Sequence, residues 1–122
     1  MVMICAGTGF APMIRVTHHL LHHSTETKTK ILFFNKQQKD IIWREELEKL
    51  EEKHENFGVE NVLSRVHESE EWEGLRGRVS MEILGKYLGD SPFVLVCGPD
   101  LFTEKVVGLL KKIKLSGVHA FT

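Results

Sequence analysis

Residues 1–12 read Met1-Val2-Met3-Ile4-Cys5-Ala6-Gly7-Thr8-Gly9-Phe10-Ala11-Pro12, an apolar run that passes straight into a glycine turn. The near-continuous apolar stretch over 1–5 predicts a buried strand, of the kind a parallel sheet covers on both faces. Gly7 and Gly9 remove side chains where the chain must turn tightly. They let backbone N–H groups approach a pyrophosphate, and the following helix adds its positive end. Thr8 offers a hydroxyl to the same phosphates. Pro12 suits a first helical turn, where no amide hydrogen is needed. Met13, Ile14, Thr17, Leu20 and Leu21 then recur at helical spacing, which predicts a helix over 12–23. A Gly-x-Gly pair also fits a plain strand-to-helix turn. The full dinucleotide fingerprint is not met either, because Pro12 follows where a third glycine would close it.

Outward from this turn the chain alternates. Ile31-Leu32-Phe33-Phe34 predicts a second strand ending at Asn35. Asp40 is expected to cap a helix running to about His54, with Trp43, Leu47 and Leu50 as its inner stripe. Val59 to Leu63 is a third strand. Residues 66–78 are polar, carry Gly74 and Gly77, and read as a loop that Trp72 anchors on the sheet. Ser80 starts a short helix through Tyr87. Phe93-Val94-Leu95-Val96-Cys97 is a fourth buried strand, followed by the turn Gly98-Pro99-Asp100. Phe102, Val106, Leu109, Leu110 and Ile113 then repeat on one helical face. Gly117 ends that segment, and Val118 to Phe121 add a last short strand. The order β-α-β-α-β-loop-α-β-α-β predicts an α/β fold, a doubly wound parallel sheet with helices on both faces. In such sheets ligands lie outside the carboxyl ends of the strands. The turns at Gly7 and Gly98 share that edge, so both can face one ligand.

Composition narrows the function classes. The chain has 122 residues, with sixteen basic against seventeen acidic side chains and a net charge of -1. That length suits one domain and one core. The charge balance gives no basic surface for nucleic acid. Two cysteines are too few for a secreted disulfide scaffold and fit reduced thiols in the cytoplasm. No apolar run approaches the roughly eighteen residues of a membrane span, and no basic-then-apolar leader is visible. No direct membrane insertion is expected.

Several ordered motifs carry a resemblance. These are Ala6-Gly7-Thr8-Gly9-Phe10-Ala11-Pro12, then Phe34-Asn35-Lys36 followed by Asp40-Ile41-Ile42, then Leu63-Ser64-Arg65. Trp72-Glu73-Gly74 with Gly77-Arg78-Val79, and finally Cys97-Gly98-Pro99, complete the set. Together they make the whole chain resemble the nicotinamide-binding domain of the ferredoxin–NADP reductase superfamily, most of all its cytochrome b5 reductase branch. Phe-Phe-Asn-Lys and Asp-Ile-Ile-Trp-Arg look especially like the members that carry a cytochrome b5 domain ahead of the reductase.

The resemblance implies a ferredoxin reductase-like C-terminal NAD(P)-binding domain over 1–122. It places the dinucleotide pyrophosphate on Gly7, Thr8, Gly9 and Pro12, with Phe10 and Asn35 among the cofactor-binding residues. Cys97 is implied beside the nicotinamide ring, positioning it for hydride transfer to flavin, with Gly98 and Pro99 shaping the pocket. The bland alternative is that Cys97 is a small buried residue. Many members finish on an aromatic residue near the flavin; Phe121 is the match, although Thr122 follows it, and a core role is the alternative. Ser64-Arg65 corresponds to a pair that grips the 2'-phosphate in NADP-using branches, since guanidinium matches phosphate geometry. Lys36, Arg76 and Arg78 are expected to add charge nearby. A solvated surface arginine is the other reading of Arg65. The balance leans toward NADPH, or use of both nucleotides, over strict NADH.

The implied function is an NAD(P)H-binding module passing hydride to FAD, and electrons onward to cytochrome b5 or a similar haem acceptor. The hydride chemistry belongs to the cofactors, while the protein supplies geometry. In the family a flavin-binding barrel with an Arg-x-Tyr-Ser-type motif precedes this domain, and no such motif occurs in these residues. FAD is therefore expected only through a domain outside this chain, and the isolated chain is expected to be monomeric with little reductase activity. A cytoplasmic location is expected, extending to the cytoplasmic side of the endoplasmic reticulum. The competing readings are a non-catalytic nucleotide-binding or regulatory module and a different phosphate-ligand enzyme on the same sheet. His18, His19, His22 and His23 form two i,i+4 pairs, but no acidic or cysteine partner shares their helix, so no metal site is expected. The run Glu68-Ser69-Glu70-Glu71 reads as a solvated loop.

Overall fold

The computed structural model describes residues 1–7, 10–23, 28–66, 69–72, 74–88, 94–113 and 118–121. For Phe10, His23, Ile113 and 118–121 it describes the backbone alone. The elements run β1 (Val2–Ala6), α1 (Phe10–His23), β2 (Thr29–Asn35), α2 (Arg44–Lys53), β3 (Phe57–Leu63), β4 (Leu75–Arg76), α3 (Met81–Leu88), β5 (Val94–Cys97), α4 (Asp100–Ile113) and β6 (Val118–Phe121). The sheet order is β4-β3-β2-β1-β5-β6, and every pairing is parallel. From β1 the chain winds outward through β2, β3 and β4. It then returns to place β5 on the other side of β1. The order thus reverses between β1 and β5, and a doubly wound sheet opens a crevice at such a point.

Strand alternation divides the interior into two cores. Met3, Cys5, Ile31, Phe33, Leu95 and Cys97 face Met13, Ile14 and Leu21 of α1 and Leu47 of α2. Ile4, Leu32, Val62 and Val96 face Leu84 and Leu88 of α3 and Val106 and Leu110 of α4. The central strands are buried on both faces, which is why they read as unbroken apolar runs. Thr17 is fully buried on α1, and its hydroxyl donates to the Met13 carbonyl at 2.8 Å, so no polar group is stranded there. Among the described residues no helix is long and apolar enough to cross a membrane.

Three expectations need correction. The second helix does not start at Asp40. That residue closes a 3-10 turn over Gln38–Asp40, and its carboxylate accepts the Gln37 N–H at 3.1 Å. The α-helix begins at Arg44, after Trp43 adopts a left-handed conformation at φ 60°. That turn leaves the Trp43 indole 46% exposed, so only Leu47 and Leu50 remain of the proposed stripe. Residues 66–78 are more than a loop, because Leu75 and Arg76 pair with Val62 and Leu63 as edge strand β4. Trp72 Nε1 donates to the Leu75 carbonyl at 2.9 Å, which holds this return against the sheet. Boundaries also shift: α1 begins at Phe10 and β3 at Phe57. The Ser80 start of α3 is observed, with the Ile83 N–H donating to its hydroxyl at 3.3 Å.

Candidate functional site

At the carboxyl edge of β1, β2 and β3 the structure opens a cleft of ≈ 730 Å³. Its floor is aromatic. Phe34, near the end of β2, meets Phe102 of α4 with ring centroids 5.6 Å apart and planes at 53°. Phe102 reaches this place because Gly98 has no side chain. A Cβ built on Gly98 would stand 2.7 Å from Phe102 Cδ1. The N-terminus of α4 is fastened to the same turn by the Thr103 hydroxyl, which donates to the Gly98 carbonyl at 3.2 Å.

Two loops form the wall over β2 and β3. The Ser64 N–H donates to the Asn35 carbonyl at 3.0 Å, and the Arg65 N–H to the Lys36 carbonyl at 2.9 Å. These bonds carry the β2–β3 ladder beyond the strands and lock the two loops together. The Gly77 N–H donates to the Leu63 carbonyl at 2.9 Å, and Gly77 itself lies at φ +115°, which turns Arg78 and Val79 into the cleft. Lys36, Lys39, Arg78 and Lys105 line the cleft, with Asp40 the one acidic lining residue among the described residues, giving a basic wall over an aromatic floor. Asn35 is 8% exposed, lines the cleft, and its Nδ2 has no partner among the described residues. A buried amide donor left open in this way is a ready contact for a polar ligand.

The sequence-predicted residues fall into three groups. Gly7 (at φ +55°), Asn35, Ser64 and Pro99 line this one cleft. Pro12, Arg65, Gly98 and Cys97 do not line it. Pro12 and Arg65 are exposed, and Cys97 ends β5 with its side chain in the core on the α1 and α2 side, away from the aromatic floor. Thr8, Gly9 and the side chains of Phe10 and Phe121 lie outside the described residues. The backbone of Phe121 ends β6 in register with Cys97. Burial pushes the Cys97 thiol up, and burial with Cys97 as neighbour pushes Cys5 well up.

Arg76 does not supply charge to the cleft; its guanidinium donates to the Glu70 and Trp72 carbonyls at 3.5 and 3.4 Å. Lys39, Ile42, Leu101, Phe102 and Lys105 line the site without having been singled out for it. Leu101 had a detectable sign, a large apolar side chain directly after a glycine-proline turn, and it is 83% exposed. His18, His19 and His22 are exposed on α1. Among the described residues no three metal-ligating side chains come together.

Set beside known proteins, residues 3–107 match the oxidoreductase NAD-binding domain family. Cytochrome b5 reductase 4 of Rattus norvegicus is 44% identical over 128 residues, covering 98% of this chain and 24% of that protein. The chain thus spans about a quarter of the length of the curated relatives it matches. The solved CS-b5R domains of human Ncb5or, in their NAD+ form, superpose with a TM-score of 0.92 at 39% identity, over 99% of this chain and 36% of that one. The cytochrome b5 reductase domain of Ulva prolifera nitrate reductase shares the fold, with a TM-score of 0.85 at 23% identity, over 98% and 48% of the two chains. A doubly wound sheet, a cleft at its carboxyl edge and these matches lead to one assignment: the chain is an NAD(P)-binding domain of the cytochrome b5 reductase and ferredoxin–NADP reductase superfamily.

Proposed function

We propose that residues 1–122 act as the NAD(P)H-binding module of a flavin-dependent reductase. FAD would be held by a barrel domain outside this chain, and electrons would leave for cytochrome b5 or a similar haem acceptor. The observation that carries this reading is the single cleft that joins Gly7, Pro99 and Ser64. A dinucleotide is long and carries phosphates at its middle and, in NADPH, at its adenosine end. The cleft offers a glycine turn, a basic wall and an aromatic floor in that neighbourhood. When bound, the nucleotide supplies the hydride; the chain's own residues hold and orient it.

In this reading the turn at Gly7, Thr8 and Gly9 directs amides at the pyrophosphate, with Phe10 and Pro12 opening the helix behind it. Ser64, Arg65, Lys36 and Arg78 receive the adenosine end. Cys97, Gly98 and Pro99 shape the nicotinamide end, where Cys97, its side chain packed in the core under α1, is a positioning residue that acts through the turn it anchors. Phe121, one strand over, takes the flavin side. The Ser64-Arg65 pair favours NADPH, or use of both nucleotides. The relatives with linked domains support work beside flavin and haem domains; we extend the reading to a monomeric module in the cytoplasm or on the cytoplasmic side of the endoplasmic reticulum.

Calorimetric titration of this chain with NADPH, NADH and FMN tests the assignment. Binding of the nicotinamide nucleotides and not of FMN is expected; binding of FMN alone, or of nothing, refutes it. With NADPH, free FAD and a dye acceptor the chain is expected to show little turnover. Robust turnover would overturn the dependence on a separate flavin domain.

A further inference from the structure

Both cysteines of this chain lie in the sheet's centre, on the two strands that flank the reversal of strand order. In the β1–β5 pairing Cys5 stands directly opposite Cys97. Their side chains also share a face. Met3, Cys5, Leu95 and Cys97 point into the core under α1, while the intervening Ile4 and Val96 point into the other. Neighbouring strands stand about 4.8 Å apart, inside the roughly 4.4–6.8 Å that a disulfide spans between Cα atoms. In-register parallel strands project Cβ atoms the same way, so the Cβ separation stays near the strand spacing. That lies just above the upper end, about 4.5 Å, of the usual disulfide range. Cys97 is the last residue of β5, where the strand has the most freedom to close the difference.

We propose that Cys5 and Cys97 form a cross-strand dithiol that hydrogen peroxide closes to a reversible disulfide. The chemistry stands apart from the nucleotide reading above. Cys5 is fully buried, whereas Cys97 is 6% exposed at the carboxyl end of β5, so peroxide meets Cys97 first. The Cys97 sulfur attacks one peroxide oxygen; the O–O bond breaks, giving Cys97 sulfenic acid and one water. The Cys5 sulfur then attacks the Cys97 sulfur. The S–S bond forms, the S–O bond breaks, and the hydroxyl leaves with the Cys5 proton as a second water. The two sulfurs together lose two electrons and peroxide gains them. The Cys5 thiol makes a long contact of 3.9 Å to the Leu32 carbonyl on β2, and it gives up that contact by turning toward β5 for this step. Burial pushes both thiols up, so the closure is slow near neutrality and quickens as the pH rises.

The test treats the reduced chain with peroxide and follows free thiols after denaturation, the intact mass and mobility on non-reducing gels. The expected result is loss of both thiols together, a monomer lighter by two hydrogens, and full recovery with dithiothreitol. In Cys5→Ala the reaction stops at a sulfenic acid on Cys97 that dimedone traps. Retention of both thiols, oxidation of each without an S–S bond, or only intermolecular dimers would overturn the proposal. The wild-type measurement needs no variant to fold. It is also independent of calorimetry, so failure of nucleotide binding and failure of disulfide closure are separate results.

Discussion

Replacing Gly98 with alanine tests the architecture of the cleft floor. The new methyl would lie 2.7 Å from Phe102 Cδ1 and 3.4 Å from Cε1. Carbon atoms rest about 3.5–4.0 Å apart, so the ring has to retreat by about an ångström. It has little room, because Phe34 sits against it and is held within β2. Overpacking of this kind costs about 1–3 kcal/mol, and disturbing an aromatic pair adds about 0.5–1.5 kcal/mol. We expect Gly98→Ala to lower unfolding stability by about 2 kcal/mol in urea titrations. In a Phe102→Ala background the same substitution is expected to cost less than about 0.5 kcal/mol, since the opposing atoms are gone. The coupling in this cycle is thus at least about 1 kcal/mol. A Gly98→Ala chain as stable as wild type, or an equal cost in both backgrounds, would refute the proposed contact.

The remaining expectations concern the nucleotide, the helices and pH. Arg65→Ala is expected to weaken NADPH by roughly tenfold to a hundredfold, the loss of one charge-assisted contact of about 1.5–3 kcal/mol, and NADH by little; equal losses in calorimetry would remove Arg65 from 2'-phosphate recognition. Gly85→Ala in α3 and Gly108→Ala in α4 meet nothing within 4 Å and should each raise stability by about 0.5–1 kcal/mol; an unchanged or lower urea midpoint would contradict the open helical surroundings. Both buried thiols hold their protons in the fold beyond the pH, about 8.5, at which unfolded thiols ionise. Their stabilising effect is therefore complete below that pH and is lost as pH rises toward the folded values, with a limit of about 1.4 kcal/mol per pH unit for each thiol. Wild type should lose stability faster than Cys5→Ala above about pH 8.5; parallel urea-midpoint curves would contradict this.

Burial on both faces made β1, β5 and the 31–34 centre of β2 readable, because no polar residue interrupts them. Edge strand β4 was not readable: two residues have no periodicity, and hydrogen bonds of Trp72 and Arg76 define it rather than apolar pattern. Trp43 failed for a different reason. A large aromatic residue at helical spacing from Leu47 looks like core, yet one left-handed residue before Arg44 turns it outward. At the site, glycine turns announce themselves through residue type. The floor made by Phe34 and Phe102 does not, since each also satisfies the ordinary pattern of a strand or helix core. The side on which Cys97 points was legible in principle. Strand alternation assigns it the face opposite to Val96.

The bonds from Ser64 and Arg65 to the carbonyls of Asn35 and Lys36 have a consequence for protein engineering. They use main-chain atoms only, so the scaffold of that wall does not depend on which side chains stand at 64 and 65. If Ser64 and Arg65 receive the adenosine end as proposed, coenzyme preference can be rewritten there by exchanging side chains on a fixed backbone. Grafting a whole loop would instead break the ladder that holds both walls, changing geometry and selectivity at once.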